Sequence, residues 1–305
     1  MKPIFYGGII AALSLFPIPA TAVTIDVLWT SGSASHNDGI TTLAGSAGSF
    51  DPGSNGSLDW NLTFWDGTSD PGFTDYDVLV ISSTCNYGAS GNCSGSGFFG
   101  NGVQADGVIS YGTEIAAARG NRTFLSGQDA DYHYLYDGSP GPLVDDGPKG
   151  FIINAVNWAA SGTGLGIVSM TDRIGNDFGW WTADGSFLKD ELGSSPFFLN
   201  KEDVDIGPGQ SGFPINEGLT DAGLSNWGTS SHACFDDVDG YTAINLAGSG
   251  RGAGCGVTIV TSRSAGGDTD GGDTPDVDVD VVPLPASMWL MIAGLGGLGA
   301  MRRRR

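Results

Sequence analysis

Positive charge is what this sequence has least of. Among 305 residues, 13 are Lys or Arg, 34 are Asp or Glu and three are His. Five of the 13 basic residues lie at the extremities, Lys2 and Arg302 to Arg305. Between them eight basic residues face every acidic one. A surface of that sign repels phosphate backbones and excludes nucleic acid as a partner. It suits solubility, cation binding or life in high salt. Cysteine is sparse too, with four residues and no C-x2-C spacing, which argues against a four-Cys zinc site. The 51 Gly follow no three-residue period, which excludes collagen. What is plentiful is apolar bulk: 40% hydrophobic residues, with 15 Phe, 8 Tyr and 8 Trp, enough to exclude wholesale disorder.

The two ends read as addresses. Residues 1–22, MKPIFYGGIIAALSLFPIPATA, give a Lys, a short apolar run and an Ala20-Thr21-Ala22 exit, the layout of a secretory signal peptide handed to the Sec translocon. An uncleaved anchor is the alternative, and the run is short for a span. At the other end, Leu284–Met301 carries no charge and is just long enough to cross a bilayer as a transmembrane helix, with the Arg tail on the cytoplasmic side. Residues 264–282, SAGGDTDGGDTPDVDVDVV, lack any basic residue and read as an extended, self-repelling acidic linker. The expected division is therefore signal peptide 1–22, body 23–263, linker 264–282 and tail 283–305.

Val282-Pro283-Leu284-Pro285-Ala286, followed by a Gly-rich apolar stretch and terminal Arg residues, resembles a VPLPA-CTERM signal, a variant of the PEP-CTERM sorting signals of Gram-negative bacteria. The resemblance implies an exosortase-type sorting enzyme as partner. It also implies a membrane-anchored stage before the tail is removed, a final place at the cell surface or in the extracellular matrix, and an association with exopolysaccharide. It covers the tail alone and says nothing about what the body does.

In an exported body the even set Cys85, Cys93, Cys234 and Cys255 reads as disulfides. Three pairings are open, and Cys85–Cys93 with Cys234–Cys255 is the simplest. Along the body, strands are expected at 24–30, 60–66, 75–84, 121–127 and 165–172, with helices at 39–47, 107–120 and 148–161. A closing strand pair is expected at 241–248 and 255–262. Alternating elements with near-continuous Val, Ile and Leu in the strands predict an α/β fold, a mostly parallel sheet flanked by helices on both faces. The stretch 173–235 shows little regular pattern and is expected to be a loop-rich insertion.

The order of IDVLWTSGSASH, YDVLVISST, FLSGQDADYH and FPINEGLTDAGLSNW resembles the class I glutamine amidotransferase-like fold, a flavodoxin-like layout, in its ThuA-like branch. Phe213 stands where the family has a His. The resemblance implies a nucleophilic Cys on the turn after FLSG, but that turn offers Ser126, Gly127 and Gln128, so glutaminase activity is not expected.

Ligand sites of open parallel sheets form beyond the carboxyl ends of the strands. His36, in the loop after the first strand, and His133, in DADYHYLYD, a dense polar-aromatic loop after the fourth, belong to that rim. Ser126, Asp129 and Asp131 stand beside His133 as candidates for acid–base work, since a His next to a carboxylate holds protons in a useful range. His36, His133 and an Asp form an alternative set for a divalent cation; no other cofactor is expected. Tyr132, Tyr134, Trp180 and Trp181, with His36 and His232, are candidates for binding, because aromatic faces stack on sugar rings. Core packing is the competing role for Trp180-Trp181, and backbone capping for the polar residues. Two functions follow: a non-catalytic module binding polysaccharide or cations, or an extracytoplasmic hydrolase or lyase acting on a glycan.

Overall fold

The computed structural model describes residues 23–32, 34–50, 58–83, 107–136, 145–170, 179–201, 203–225, 227, 230–248 and 252–262. The segments expected to be a signal peptide, a linker and a transmembrane tail with the Val282–Ala286 motif, and the expected Cys85–Cys93 pairing, all lie outside these residues. Among the described residues no helix is long and apolar enough to cross a membrane.

Among the described residues ten strands form one sheet. β1 (Val23–Thr30), β2 (Leu58–Trp65), β3 (Val78–Ile81), β4 (Arg119–Ser126) and β5 (Leu165–Met170) make a parallel half in the order β2-β1-β3-β5-β4. The second half is antiparallel. Within it, β10 (Gly256–Ser262) joins β4, and β8 (Ser231–Phe235) and β6 (Pro196–Lys201) follow outward. β9 (Thr242–Ala247) also pairs with β10, and β7 (Val204–Ile206) with β9. A mixed α/β sheet flanked by helices is thus present, and the expected closing strand pair is β9 with β10. The sheet is less parallel than its composition suggests. The patternless stretch supplies β6, β7 and β8, short strands whose partners lie far away in sequence.

Side chains alternate across the sheet because successive strand residues point to opposite faces. Val27, Trp29, Val78, Val80, Phe124 and Val168 face one core; Leu28, Leu79, Ile81, Leu125 and Ile167 face the other. Both faces are covered, which is why these strands carry no polar alternation. The first core is closed by α1 (Ala34–Ala47), α3 (Ala130–Tyr136) and α4 (Pro148–Ala160), the last with Pro148 in its first turn as its sequence predicts. The second is closed by α2 (Gly112–Ala118), α5 (Lys189–Leu192) and the 3-10 turn Gly179–Thr182. The short α6 (Asp221–Leu224) starts at Thr220, whose hydroxyl accepts the Gly223 amide at 2.9 Å.

From β1 the chain goes outward to β2, whereas β3 lies on the other side of β1. The gap between the carboxyl ends of β1 and β3 is therefore the topological switch point of the parallel half. The crossover from β3 to β4 skips one place, and β5 fills it; a simple doubly wound sheet would run 2-1-3-4-5.

Candidate functional site

Two polar clusters meet at the start of α3. The first sits at the switch point. His36 was expected in a loop; it lies in the first turn of α1, 1% exposed. The turn before α1 is folded back by Asn37, whose Oδ1 accepts the Gly32 amide at 2.9 Å and whose Nδ2 donates to Ser31 Oγ at 3.1 Å. Gly32 leaves room for the imidazole: a Cβ there would stand 2.5 Å from His36 Nδ1. His36 Nδ1 then lies 3.2 Å from Asn37 Oδ1, and Nε2 3.2 Å from Ser82 Oγ. Asp131 accepts from the hydroxyls of both Ser82 and Ser83, and from the Ser83 amide at 3.0 Å. Burial holds the His36 imidazole below its usual range, against the opposing pull of the Asp131 carboxylate and the Asn37 contact. Ser82 and Ser83 are half-buried at the end of β3. They were not among the sequence candidates, although the hydroxyl run ending VLVISST, at a strand's carboxyl end, was a signal for them.

The second cluster is Asp129, His133 and His232. Asp129 is 1%, His133 5% and His232 8% exposed. Asp129 and His133 lie four residues apart, so the opening turn of α3 sets both on one side. The expected polar-aromatic loop here is instead this helix. His232 comes from β8, on the same face of its strand as Cys234. Its amide donates to Gly127 O at 2.7 Å. That approach needs glycine, since a Cβ on Gly127 would lie 1.9 Å from the Ala233 carbonyl oxygen. Nε2 of His133 and Nε2 of His232 each lie 3.1 Å from the same oxygen, Asp129 Oδ1. The two rings are parallel, with centroids 6.5 Å apart. One ligand atom from each of the three residues falls within 4.8 Å of the others. Burial raises the Asp129 pKa, and the two imidazoles outweigh it and hold the carboxyl below its usual range.

Four sequence candidates are redirected. Ser126 is wholly buried, with its hydroxyl 3.0 Å from Thr258 Oγ1 and accepting the Gln128 amide at 3.0 Å, so it faces no substrate. Trp180 and Trp181 are buried in the second core, Trp181 donating to Ser169 Oγ at 2.8 Å and packing at a tilt on Phe235, which is the core-packing role rather than an exposed platform for a sugar. His36 belongs with Ser82 and Asp131 rather than with His133. Tyr132 and Tyr134 keep partial exposure: the Tyr132 ring lies edge-on to His133 at 5.3 Å, and burial raises the Tyr134 pKa. Phe213 packs on Trp158 at 5.7 Å.

Compared with known proteins, residues 281–305 match the PEP-CTERM protein-sorting motif. The motif marks the chain as an exported protein, held in the membrane and then processed by an exosortase-type sorting enzyme. A disulfide between Cys234 and Cys255 accords with that destination. No curated protein and no solved structure matches the chain.

Proposed function

We propose that the body is an extracytoplasmic binding module that receives a hydroxyl-rich ligand, a polysaccharide of the envelope or matrix, at the switch point between β1 and β3. The observation that carries this reading is the convergence of His36, Ser82, Ser83 and Asp131 there. Asp131 fixes two half-exposed serine hydroxyls side by side, and a fixed hydroxyl pair with imidazole and carboxylate behind it can exchange hydrogen bonds with sugar hydroxyls. Tyr132 and Tyr134 supply partly exposed rings on the neighbouring helix. Kinship with the amidotransferase-like, ThuA-like fold belongs to the same proposal. Helices on both faces of a parallel half support it, and the exchanged places of β4 and β5 depart from the flavodoxin-like order. The buried Ser126 in place of an elbow cysteine gives no basis for glutaminase chemistry.

One observation favours a second reading, hydrolysis of a glycan or its ester substituent. Ser82 Oγ stands 3.2 Å from His36 Nε2, and the other ring nitrogen leans on Asn37; with the Ser82 hydroxyl turned from Asp131 to the imidazole, this becomes the order nucleophile, base, orienting group. One experiment separates the two. The exported chain, its Ser82→Ala variant and its Asp131→Asn variant are incubated with the exopolysaccharide of the producing cells. Retention of polysaccharide and release of sugar or acid are both measured. Retention that weakens in Asp131→Asn, with no product released, supports the binding module. Release that vanishes in Ser82→Ala selects hydrolysis. Neither retention nor release by the unmodified chain refutes both.

A further inference from the structure

We propose that Asp129, His133 and His232 form a binding site for one first-row transition-metal dication of the zinc class. The inference rests on this cluster's own geometry and stands apart from the polysaccharide reading. Bonds of about 2.0 Å from a tetrahedral ion put neighbouring ligand atoms about 3.3 Å apart. Both Asp129–imidazole contacts are 3.1 Å. At that separation a well-aimed N–H would make a hydrogen bond, yet Asp129 Oδ1 accepts none of good geometry. Both ring nitrogens stand at hydrogen-bond distance from the oxygen without meeting hydrogen-bond geometry, while three potential ligand atoms lie within 4.8 Å of one another. Asp129 is also almost wholly enclosed, and a buried carboxylate oxygen without a hydrogen bond is a costly feature that an ion would remove. Gln128 Oε1, on the residue next to Asp129 in the chain, and the second ring nitrogen of His232, Nδ1, are also buried without a hydrogen-bond partner.

The donor set chooses the metal. Calcium takes six to eight oxygens, and magnesium keeps an octahedron of oxygens and waters; this cluster offers two imidazoles and one carboxylate. Imidazole suits zinc, copper, nickel and iron. Three protein ligands among the described residues leave a tetrahedral ion one position for water or for a donor from a ligand. Asp129 and His133 come from one helical turn, and His232 is brought to them by the β8 backbone on Gly127. The site is thus held by the sheet and by one helix rather than by a loop.

The test uses the exported full chain, stripped with a chelator and titrated with Zn2+ and with Co2+. The expected result is one equivalent bound per chain, a higher Tm with Zn2+, and a visible Co2+ absorption. His232→Ala and Asp129→Asn should each weaken Zn2+ binding at least about 100-fold, because even changes to outer-shell partners of a metal site cost about 10–100-fold. His36→Ala should leave it within about 3-fold, an allowance far smaller than a ligand loss, and excess Ca2+ should not compete. X-ray absorption of the Zn2+-loaded unmodified chain gives a reading free of any folding defect in the variants. Two imidazole shells with oxygen support the site. An all-oxygen or sulfur shell, no stoichiometric binding, or equal binding by both ligand variants would overturn it.

Discussion

Asp129 and Asp131 stand two residues apart at the start of one helix and live in opposite surroundings. Asp131 is met by donors: two serine hydroxyls and an amide from the end of β3. Asp129 is met by two imidazole nitrogens that do not donate to it in good geometry. The first carboxylate is satisfied by the protein. The second is enclosed and under-satisfied, which is the condition of a ligand for something not supplied by the chain. The contrast separates a polar cluster that organises a surface from the one proposed above as a metal site. The two clusters also draw on different halves of the sheet. The Asp131 cluster is built wholly from the parallel half, on α1, β3 and α3. The Asp129 cluster borrows His232 from the antiparallel half.

That difference gives the largest predicted effect. β8 is registered to β10 through one residue pair, Gly256 with Phe235, and Cys234–Cys255 ties the same region covalently. With a separation of 21 residues between the two Cys, Cys234→Ser should lower unfolding free energy by about 3 kcal/mol in urea. Because Cys234 lies two residues from His232, the change should also weaken Zn2+ binding while leaving retention of polysaccharide intact. Equal loss of both would show that the two clusters are not independently supported.

The next effect compares the carboxylates directly, in metal-free protein. Asp131→Asn replaces an acceptor by a donor where three donors converge and should cost about 2 kcal/mol in urea unfolding. Asp129→Asn removes no well-formed hydrogen bond and also removes a buried charge, so it should cost about 1 kcal/mol or less. Saturating Zn2+ should then widen the gap between Asp129→Asn and the unmodified chain, with no such change for Asp131→Asn. Reversal of the metal-free order would mean that Asp129 is the better satisfied of the two.

How much of this could be read in advance follows the same divide. The runs TIDVLWT and DYDVLVI announce buried strands because both faces of the parallel half are covered. PKGFIINAVNWAA announces a helix by its apolar spacing and its Pro. The residues of SHACF carry no comparable pattern, since β8 is five residues long and buried on every one of them. His36, His133, Asp129 and Asp131 were recognisable as chemistry at strand ends, but not their partners. Pairing His232 with Asp129 requires knowing that β8 returns to Gly127, a contact across more than a hundred residues. Ser82 and Ser83 were hidden by their ordinariness: two serines become informative only when a carboxylate is seen to hold them. Tyr132 to Tyr136 misled because a dense polar-aromatic run reads as a loop, whereas its apolar side, Ala130 and Leu135, packs on the core as a helix.

The smallest effect concerns acid. Burial keeps His36 less protonated in the folded chain than in the unfolded chain, whose imidazole has its ordinary value near 6.5. Below that value the unfolded state therefore binds more protons, and stability falls as pH decreases. The slope from one group is bounded at about 1.4 kcal/mol per pH unit, and the nearby Asp131 carboxylate, which favours the imidazolium, makes it shallower. Urea unfolding at pH 7.5 and 5.5 should show a loss of about 1 kcal/mol or less that His36→Gln removes. A loss that persists unchanged in His36→Gln would show that the imidazole at the switch point does not carry it.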